Sequence, residues 1–181
     1  IVFPAKKDWR PREKKFLAEL ESEYTGFSSL ISTDVGYTLN GTRELRDLLD
    51  GNFFPFPKPV SIIRNLIEQG LSYEDTDENI ILDFFGGSAT TAQAVLELSK
   101  QLNGEANLKF MIVQLPEQCD ENSEAYKAGY KTIADISKER IRRVIKKIEA
   151  EQIEEKKKKA GQIDFGNEEE KQLDLGFKSF K

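Results

Sequence analysis

The segment from Ile80 to Thr91 joins a short apolar run directly to a cluster of small residues and then to a helical pattern. The run at 80–85 has the length and the mainly apolar composition of a buried strand, and Gly, Ser, Ala and Thr fill positions 86–91. Small residues at a strand-to-helix turn let a ligand lie against backbone N–H groups at the positive end of the helix dipole. The segment therefore predicts a ligand-binding turn at the end of a strand.

This turn departs from the dinucleotide fingerprint G-x-G-x-x-G. With Gly86 as the first glycine, the second and third glycine positions are Ser88 and Thr91. We therefore expect a ligand other than a pyrophosphate, although a nicotinamide- or nucleotide-binding Rossmann domain stays as an alternative.

Helical and strand patterns alternate from Val60 onward. The predicted elements are helix 60–70, strand 80–85, helix 89–102, strand 109–114 and helix 124–148. Such alternation is typical of βαβ units with right-handed crossovers, so the fold class is predicted to be α/β with a parallel sheet and alternating helices, a partial Rossmann-like domain. Leu173 to Phe180 alternates as an edge strand would.

The remaining segments are helical or highly charged. A helical pattern covers Glu13 to Glu23, and a second helix is predicted to begin at Thr42 as N-cap, with Leu45, Leu48 and Leu49 facing the core. Helix 124–148 carries a basic face, which either meets phosphate or is solvated. The run at 149–159 either extends that helix or forms a linker.

Composition excludes several classes of site. The 181 residues include no histidine and one cysteine, Cys119, so a zinc site, a histidine-based catalytic dyad and an internal disulfide are not expected. No apolar run approaches the roughly 20 residues of a membrane-spanning helix, and the first residues lack a signal-peptide layout, so we expect a cytoplasmic location and no membrane. The net charge of −5 has the wrong sign for a chain that binds DNA alone.

Two segments resemble motifs X and I of the adenosylmethionine-dependent DNA methyltransferases. They are the Phe-Pro-Phe-Pro-Lys-Pro run at 54–59 and the Ile80 to Thr91 segment, in the permuted order in which the cofactor half follows the catalytic half. With Ile-Val-Gln-Leu-Pro-Glu at 112–117 and the segment 123–133, the chain is most similar to the modification subunit of type III restriction–modification systems, from about Val35 to the C-terminus. The resemblance implies S-adenosyl-L-methionine as cofactor and, as partners, DNA, a second modification subunit and a restriction subunit.

The resemblance also implies a role for each candidate site residue. Backbone N–H groups and hydroxyls between Gly86 and Thr91 are expected to donate to the cofactor carboxylate, with Lys58 adding a positive charge. Asp83 is expected to accept from the ammonium group. Phe84 and Phe85 are predicted to point to opposite faces, one toward the cofactor and one into the core. The predicted cofactor-binding residues are Phe54, Lys58, Pro59, Asp83, Phe84, Phe85, Gly86, Gly87, Ser88, Thr90, Thr91, Gln114 and Glu117.

The ribose partner is left open between two residues. Related methyltransferases place an acid at the end of the second strand, where this chain has Gln114. Glutamine can bond one hydroxyl without a charge, and Glu117 lies three residues further on. We favour Glu117 slightly and keep both, with Leu115 and Pro116 lining the adenine slot.

The chain contains no Pro-Pro dipeptide, so it lacks the D-P-P-Y-type catalytic motif of this family. No catalytic residue is therefore predicted, and the chain is expected to be inactive alone, as the cofactor half of an adenine-N6 DNA methyltransferase whose catalytic half lies elsewhere in the same protein. Since the chain starts without Met and stops inside the alternating pattern, at residues 178–181, both ends are expected to be cut from something longer. The alternative is a non-catalytic subunit-interaction module.

Three regions are expected along the chain. Residues 1–50 would form the tail of a target-recognition region and a connector, or else a helical cap on the fold. Residues 51–148 would form the adenosylmethionine-binding α/β core, and residues 149–181 a charged helix or linker with an edge strand.

Overall fold

A computed structural model describes residues 36–71, 78–104, 106–159 and 173–180 of the protein. Its elements are α1 (Thr38–Leu49), α2 (Val60–Glu68), β1 (Glu78–Asp83), α3 (Thr90–Gln101), β2 (Asn107–Ile112), α4 (Glu124–Lys127) and α5 (Ile133–Lys159). Within these ranges no helix combines the length and the apolar character that crossing a membrane requires. The helical pattern at Glu13 to Glu23 lies outside the described residues.

The strands β1 and β2 form a parallel pair joined through α3. Their register runs from Glu78 opposite Asn107 to Asp83 opposite Ile112. Beyond the ladder, Val113 N donates to Asp83 O at 2.8 Å. Parallel strands need a crossover connection, which α3 provides, and the predicted α/β class with a parallel sheet is confirmed.

Both strands begin two residues before the predicted positions. Glu78 and Asn107 open the ladder, and Glu78 forms an ion pair with Lys109 across it. The predicted strands followed the apolar side chains. Backbone pairing at an exposed strand end requires no apolar side chain, so the strands can begin at Glu78 and Asn107. The strands also end earlier than predicted, at Asp83 and Ile112.

The predicted helix 124–148 is two helices, α4 and α5. Between them the backbone of Gly129 is left-handed, with φ of 100°. Thr132 then caps α5: its N–H and hydroxyl donate to Asp135 Oδ2 at 3.0 and 2.8 Å, and its Oγ1 accepts from Asp135 N at 3.2 Å. A Thr followed three residues later by an acid is a capping box, so the sequence did carry a signal for this second start.

The capping interaction also places the negative charge of Asp135 in the first turn of α5. Lys138 bonds Asp135 at 2.8 Å, and this contact, reinforced by the bonds from Thr132, holds the pKa of the Asp135 carboxyl below its usual value. An ionised carboxylate in the first turn also interacts well with the helix dipole. The charged run after Ile148 continues α5 to Lys159, which confirms the helical alternative for 149–159.

Helix α1 begins at Thr38 and not at Thr42. Asn40 Oδ1 accepts from Tyr37 N at 3.1 Å, which fixes the helix start, and Thr42 Oγ1 lies inside the helix, 3.4 Å from Thr38 O. The N-cap prediction for Thr42 is therefore wrong. Gly41 is required for another reason: a Cβ there would overlap the carbonyl oxygen of Pro57.

Two clusters form the apolar core. One joins Ala89, Ala92 and Leu96 around α3 to Ile141 and neighbouring residues of α5. The other is made of Leu45, Leu49, Ala125 and Ile136. Helix α1 thus shares a core with α5.

The C-terminal segment 173–180 is not a strand. Leu175 is buried in the first core cluster, and Leu173 and Phe177 pack against that cluster. The alternating pattern therefore identified the core-facing side chains correctly. It does not show whether the segment is a strand, because an extended backbone can bury every second residue without hydrogen bonding to a neighbouring strand.

We predict that Thr132→Ala lowers the free energy of unfolding by about 1 kcal/mol, since it removes the cap of α5. Thr42→Ala is the matched control, because Thr42 is no cap and alanine is the better helix former. Urea denaturation followed by circular dichroism measures both. Equal losses for the two variants would contradict the capping assignment.

Candidate functional site

The turn between β1 and α3 leaves no room for a side chain at its centre. Gly86 N donates to Val113 O at 3.1 Å, and a Cβ on Gly86 would overlap Cγ2 of Ile112. Gly87 is left-handed, with φ of 51°. The predicted turn is therefore built from backbone pressed against β2, and its path is fixed by that contact.

Ala89 holds the strained position of the turn. It precedes α3 as the N-cap residue, with φ of 60° and ψ of 40°, and no side-chain bond caps the helix there. The left-handed conformation costs a residue with a Cβ roughly 1–2 kcal/mol. Since Ala89 is also fully buried, contacts from neighbouring residues must hold it.

Asp83 stands at the carboxyl end of β1 with both oxygens oriented. Its Oδ1 accepts from Phe85 N at 3.0 Å, and its Oδ2 accepts from the Thr91 hydroxyl at 2.6 Å. Its remaining lone pairs can accept from a cationic group. Asp83 and Thr91 lie at one end of an open groove of about 350 Å³ between α2 and β1.

Most N–H groups of the turn already donate within the protein. Phe85 N bonds Asp83, Gly86 N bonds Val113 O, and Ala89 N bonds Gly86 O at 2.7 Å. Gly87 N donates to Gln114 Oε1 at 2.7 Å. The backbone donors left for a ligand carboxylate are thus fewer than the sequence predicted.

Gln114 and Glu117 occupy different environments after β2. Besides bonding Gly87, Gln114 donates from Nε2 to Leu115 O at 3.1 Å, so both of its polar atoms are engaged. Glu117 is exposed, and its carboxylate contacts no partner among the described residues. Its backbone oxygen accepts from Ile133 N at 3.0 Å, which fixes the loop to the start of α5.

The aromatic predictions have mixed outcomes. Phe54 lies over Gly87, where an added Cβ would be 3.4 Å from its ring. Phe84 and Phe85 are 62% and 92% exposed, so the prediction that one of them enters the core is wrong. Both follow the last residue of β1, and the alternation of faces holds only along a strand.

The motif before α2 lies against α1. Lys58 is exposed, and Pro59 is the buried N-cap residue of α2. Glu44 Oε2 accepts from Val60 N at 3.0 Å and satisfies a first-turn donor of α2 that a proline cannot cap with its side chain.

The hydroxyls of Ser88 and Thr90 point inward, unlike the expected ligand-facing arrangement. Both residues are buried, and they accept from Arg140 Nη1 at 2.9 and 2.8 Å. Thr91 donates to Asp83 instead. The Ser88 and Thr90 hydroxyls are therefore committed to Arg140, whereas the Thr91 hydroxyl stays at the groove and is committed as a donor to Asp83.

Arg140 is the residue that the sequence prediction missed. It is 0% exposed, and its Nε also donates to Gln93 Oε1 at 2.7 Å. Burial lowers its pKa to about 10, against the opposing effect of Glu44 and Glu97, so it stays charged at neutral pH. Its spacing was a signal: Arg140 lies four residues after Ile136 and four before Val144, on the buried face of α5.

The family model described as DNA methylase, N6_N4_Mtase, matches residues 28–147. The chain belongs to this DNA methylase family. It is 37% identical over 117 residues to the type III restriction-modification enzyme StyLTI Mod subunit of Salmonella typhimurium, covering 65% of this chain and 17% of that protein.

Further relatives support the same assignment. The EcoPI Mod subunit of Escherichia phage P1 is 39% identical over 110 residues, which are 61% of this chain and 16% of that protein. The EcoP15I Mod subunit of Escherichia coli is 40% identical over 106 residues, 59% of this chain and 16% of its own length. The resemblance to type III modification subunits is confirmed, and the aligned part spans about one sixth of each of these relatives.

We predict that Gly86→Ala destabilises the protein by about 1–3 kcal/mol, because the new methyl group must displace Ile112. Gly70→Ala is the matched control, since its nearest neighbour would be at 3.7 Å, an ordinary contact. The free energy of unfolding in urea measures the difference. If Gly86→Ala were as stable as Gly70→Ala, the close approach to β2 would be wrong.

Proposed function

We propose that the chain is the S-adenosyl-L-methionine-binding part of a type III modification methyltransferase that acts in the cytoplasm on adenine N6 in DNA. The observation that carries the proposal is the oriented carboxylate of Asp83 beside the Gly86–Gly87 turn, in a chain of the DNA methylase family. The carboxyl end of a parallel strand is where α/β folds bind ligands.

Asp83 is assigned to the ammonium group of the cofactor. Its two oxygens are held by Phe85 and Thr91, so the carboxylate is already in position before a ligand binds. The cofactor carboxylate is assigned to the exposed Lys58 and to the first-turn N–H groups of α3, which have no partner inside the helix. Phe54 and the exposed Phe84 and Phe85 supply apolar walls.

Glu117 is assigned to the ribose. Its carboxylate is exposed, whereas both polar atoms of Gln114 are used in holding Gly87 and Leu115. A carboxylate also accepts from hydroxyls more strongly than a neutral amide does. In this assignment Gln114 supports the turn and does not contact the cofactor hydroxyls.

The catalytic half is assigned to another part of the same protein. The chain has no Pro-Pro dipeptide, and it spans about one sixth of Mod subunits that belong to type III restriction-modification enzymes. We therefore extend the proposal to three partners of the whole protein, which are DNA, a second modification subunit and a restriction subunit. By itself the chain would bind cofactor and transfer no methyl group.

The free side of β1 is the surface proposed to receive that catalytic half. Among the described strands β1 pairs only with β2, and on one sheet face Ile80, Leu82 and Met111 are 54%, 48% and 57% exposed. An open apolar strand edge is a template for pairing with another strand. From the resemblance to type III modification subunits, we expect the strand that leads into the catalytic motif to pair at this edge.

A subunit-interaction module is the second candidate, because the same apolar face could serve assembly alone. Thermal shift with S-adenosyl-L-methionine separates the two: stabilisation supports the cofactor site, and association without any ligand effect supports the module. A thermal shift with NAD in place of S-adenosyl-L-methionine would favour the nucleotide-binding alternative.

We predict that Asp83→Ala weakens binding of S-adenosyl-L-methionine by about 10- to 150-fold, the value of one charge-assisted hydrogen bond of roughly 1.5–3 kcal/mol. Thr91→Val is the control, since it removes one bond to Asp83 but leaves its charge, and a smaller loss is expected. Isothermal titration calorimetry measures both. An Asp83→Ala variant that binds like the parent would overturn the site assignment.

We predict that Glu117→Gln weakens binding of S-adenosylhomocysteine and adenosine alike, since both carry the ribose hydroxyls. Glu121→Gln, an exposed acid in the same loop, should change neither. Gln114→Ala should weaken S-adenosylhomocysteine more than adenosine, because loosening the turn affects the amino-acid end. If Gln114→Ala lowered the affinity for both ligands and Glu117→Gln lowered neither, the ribose contact would be assigned to Gln114 instead.

We predict that the chain, mixed with the catalytic half of a type III modification subunit, forms a complex that slows amide exchange in β1. Leu82→Lys should weaken this complex, while Ile153→Lys, which changes a comparably exposed residue on α5, should not. Sedimentation and exchange mass spectrometry provide the measurements. A compact monomer whose exchange is unaffected by the catalytic half would argue against the permuted-half proposal.

A further inference from the structure

We propose that Arg140 is a positioning residue of the cofactor site, which holds Ala89 in its left-handed conformation by bonding the residues on both sides of it. This inference rests on the proposed function, because the turn that contains Ala89 is the one assigned to S-adenosyl-L-methionine.

The guanidinium of Arg140 spans the strained residue. Its Nη1 donates to the hydroxyl of Ser88 at 2.9 Å, to the carbonyl of Ser88 at 3.3 Å and to the hydroxyl of Thr90 at 2.8 Å. Ser88 and Thr90 are the two neighbours of Ala89 in the chain. One nitrogen of the planar guanidinium, Nη1, thus bonds the residues on both sides of the unfavourable φ.

A second donor from α5 acts on the same turn. The Ser137 hydroxyl donates to Gly87 O at 2.5 Å, one residue before the contacts of Arg140. Nε of Arg140 is in turn oriented by Gln93, which lies on α3 itself. Helix α5 therefore contacts the turn at Gly87, Ser88 and Thr90.

The strained backbone of Ala89 needs a specific restraint, which Arg140 can provide. A glycine at this position would adopt the same φ without cost, whereas alanine does so only under restraint. The strained peptide leads directly into the first turn of α3, where Thr91 bonds Asp83. If Ala89 relaxed, Thr91 would move away from Asp83.

A double-mutant cycle of Arg140 and Ala89 distinguishes a positioning role from general packing. Arg140→Lys keeps the charge but loses the planar guanidinium, which Gln93 orients through Nε, and we expect the Kd for S-adenosylhomocysteine to rise at least about tenfold. The Kd of Ala89→Gly alone is the reference for the second arm of the cycle. In the Ala89→Gly background the strain is gone, so Arg140→Lys should raise the Kd by no more than about threefold.

The control is Arg143→Lys, a substitution three residues further along α5. Arg143 bonds Glu139, Asp50 and Leu48 O, and none of these belongs to the turn. Its replacement should leave the Kd unchanged. The drop in urea midpoint caused by Arg140→Lys should also shrink by about half or more in the Ala89→Gly background, without any ligand present.

The outcomes separate this inference from the proposed function. A parent chain that binds no S-adenosylhomocysteine would contradict the proposed function, while the urea cycle would still test the coupling of Arg140 to Ala89. A parent that binds, combined with equal losses from Arg140→Lys in both backgrounds, would reduce Arg140 to a packing residue. An Arg140→Lys variant with the parent's affinity and stability would overturn the inference outright.

Discussion

The close approach of Gly86 to β2 is the constraint on which the rest of the structure depends. Because no side chain fits between Gly86 and Ile112, the chain leaves β1 along one path, and α3 starts in a fixed direction. That direction orients Thr91 toward Asp83 and places Gly87 within reach of Gln114. The geometry of the site is thus a consequence of how closely two parallel strands and one turn can pack.

The buried charge of Arg140 matters more to this arrangement than the ion pairs at the surface. The ion pairs of Lys100 with Glu151 and Glu155 lie at the surface, where such pairs contribute about 0–1 kcal/mol each. Arg140 is buried, and the oxygens it bonds are the neutral ones of Ser88, Thr90 and Gln93. Nη2 of Arg140 already has no hydrogen-bond partner among the described residues, so losing those oxygens would remove the remaining bonds of a buried charge, which is far more costly than loss of a surface pair.

The sequence predicted features that depend on residues close together in the chain, and it missed those that depend on residues far apart. The strand and helix order, Asp83 at a strand end and the absence of a side chain at Gly86 follow from short patterns. The break before Thr132 was also local, yet helical periodicity on both sides concealed it. The inward turn of the Ser88 and Thr90 hydroxyls was not predictable in this way, because Arg140, which binds them, lies about 50 residues further along the chain.

The two faces of the parallel pair are covered unequally, and this has a physical consequence. Phe110 and Ile112 pack beneath the α3 and α5 cluster, whereas Ile80, Leu82 and Met111 stay exposed in the part of the chain that the structure describes. Parallel sheets are normally covered by helices on both faces. Burying a large apolar side chain contributes about 1.5–3 kcal/mol, so covering the half-exposed residues of this face would add several kcal/mol of stability. In the described part of the chain, the turn is therefore well packed, whereas one face of the sheet is exposed. A second layer of structure over that face would add the most stability.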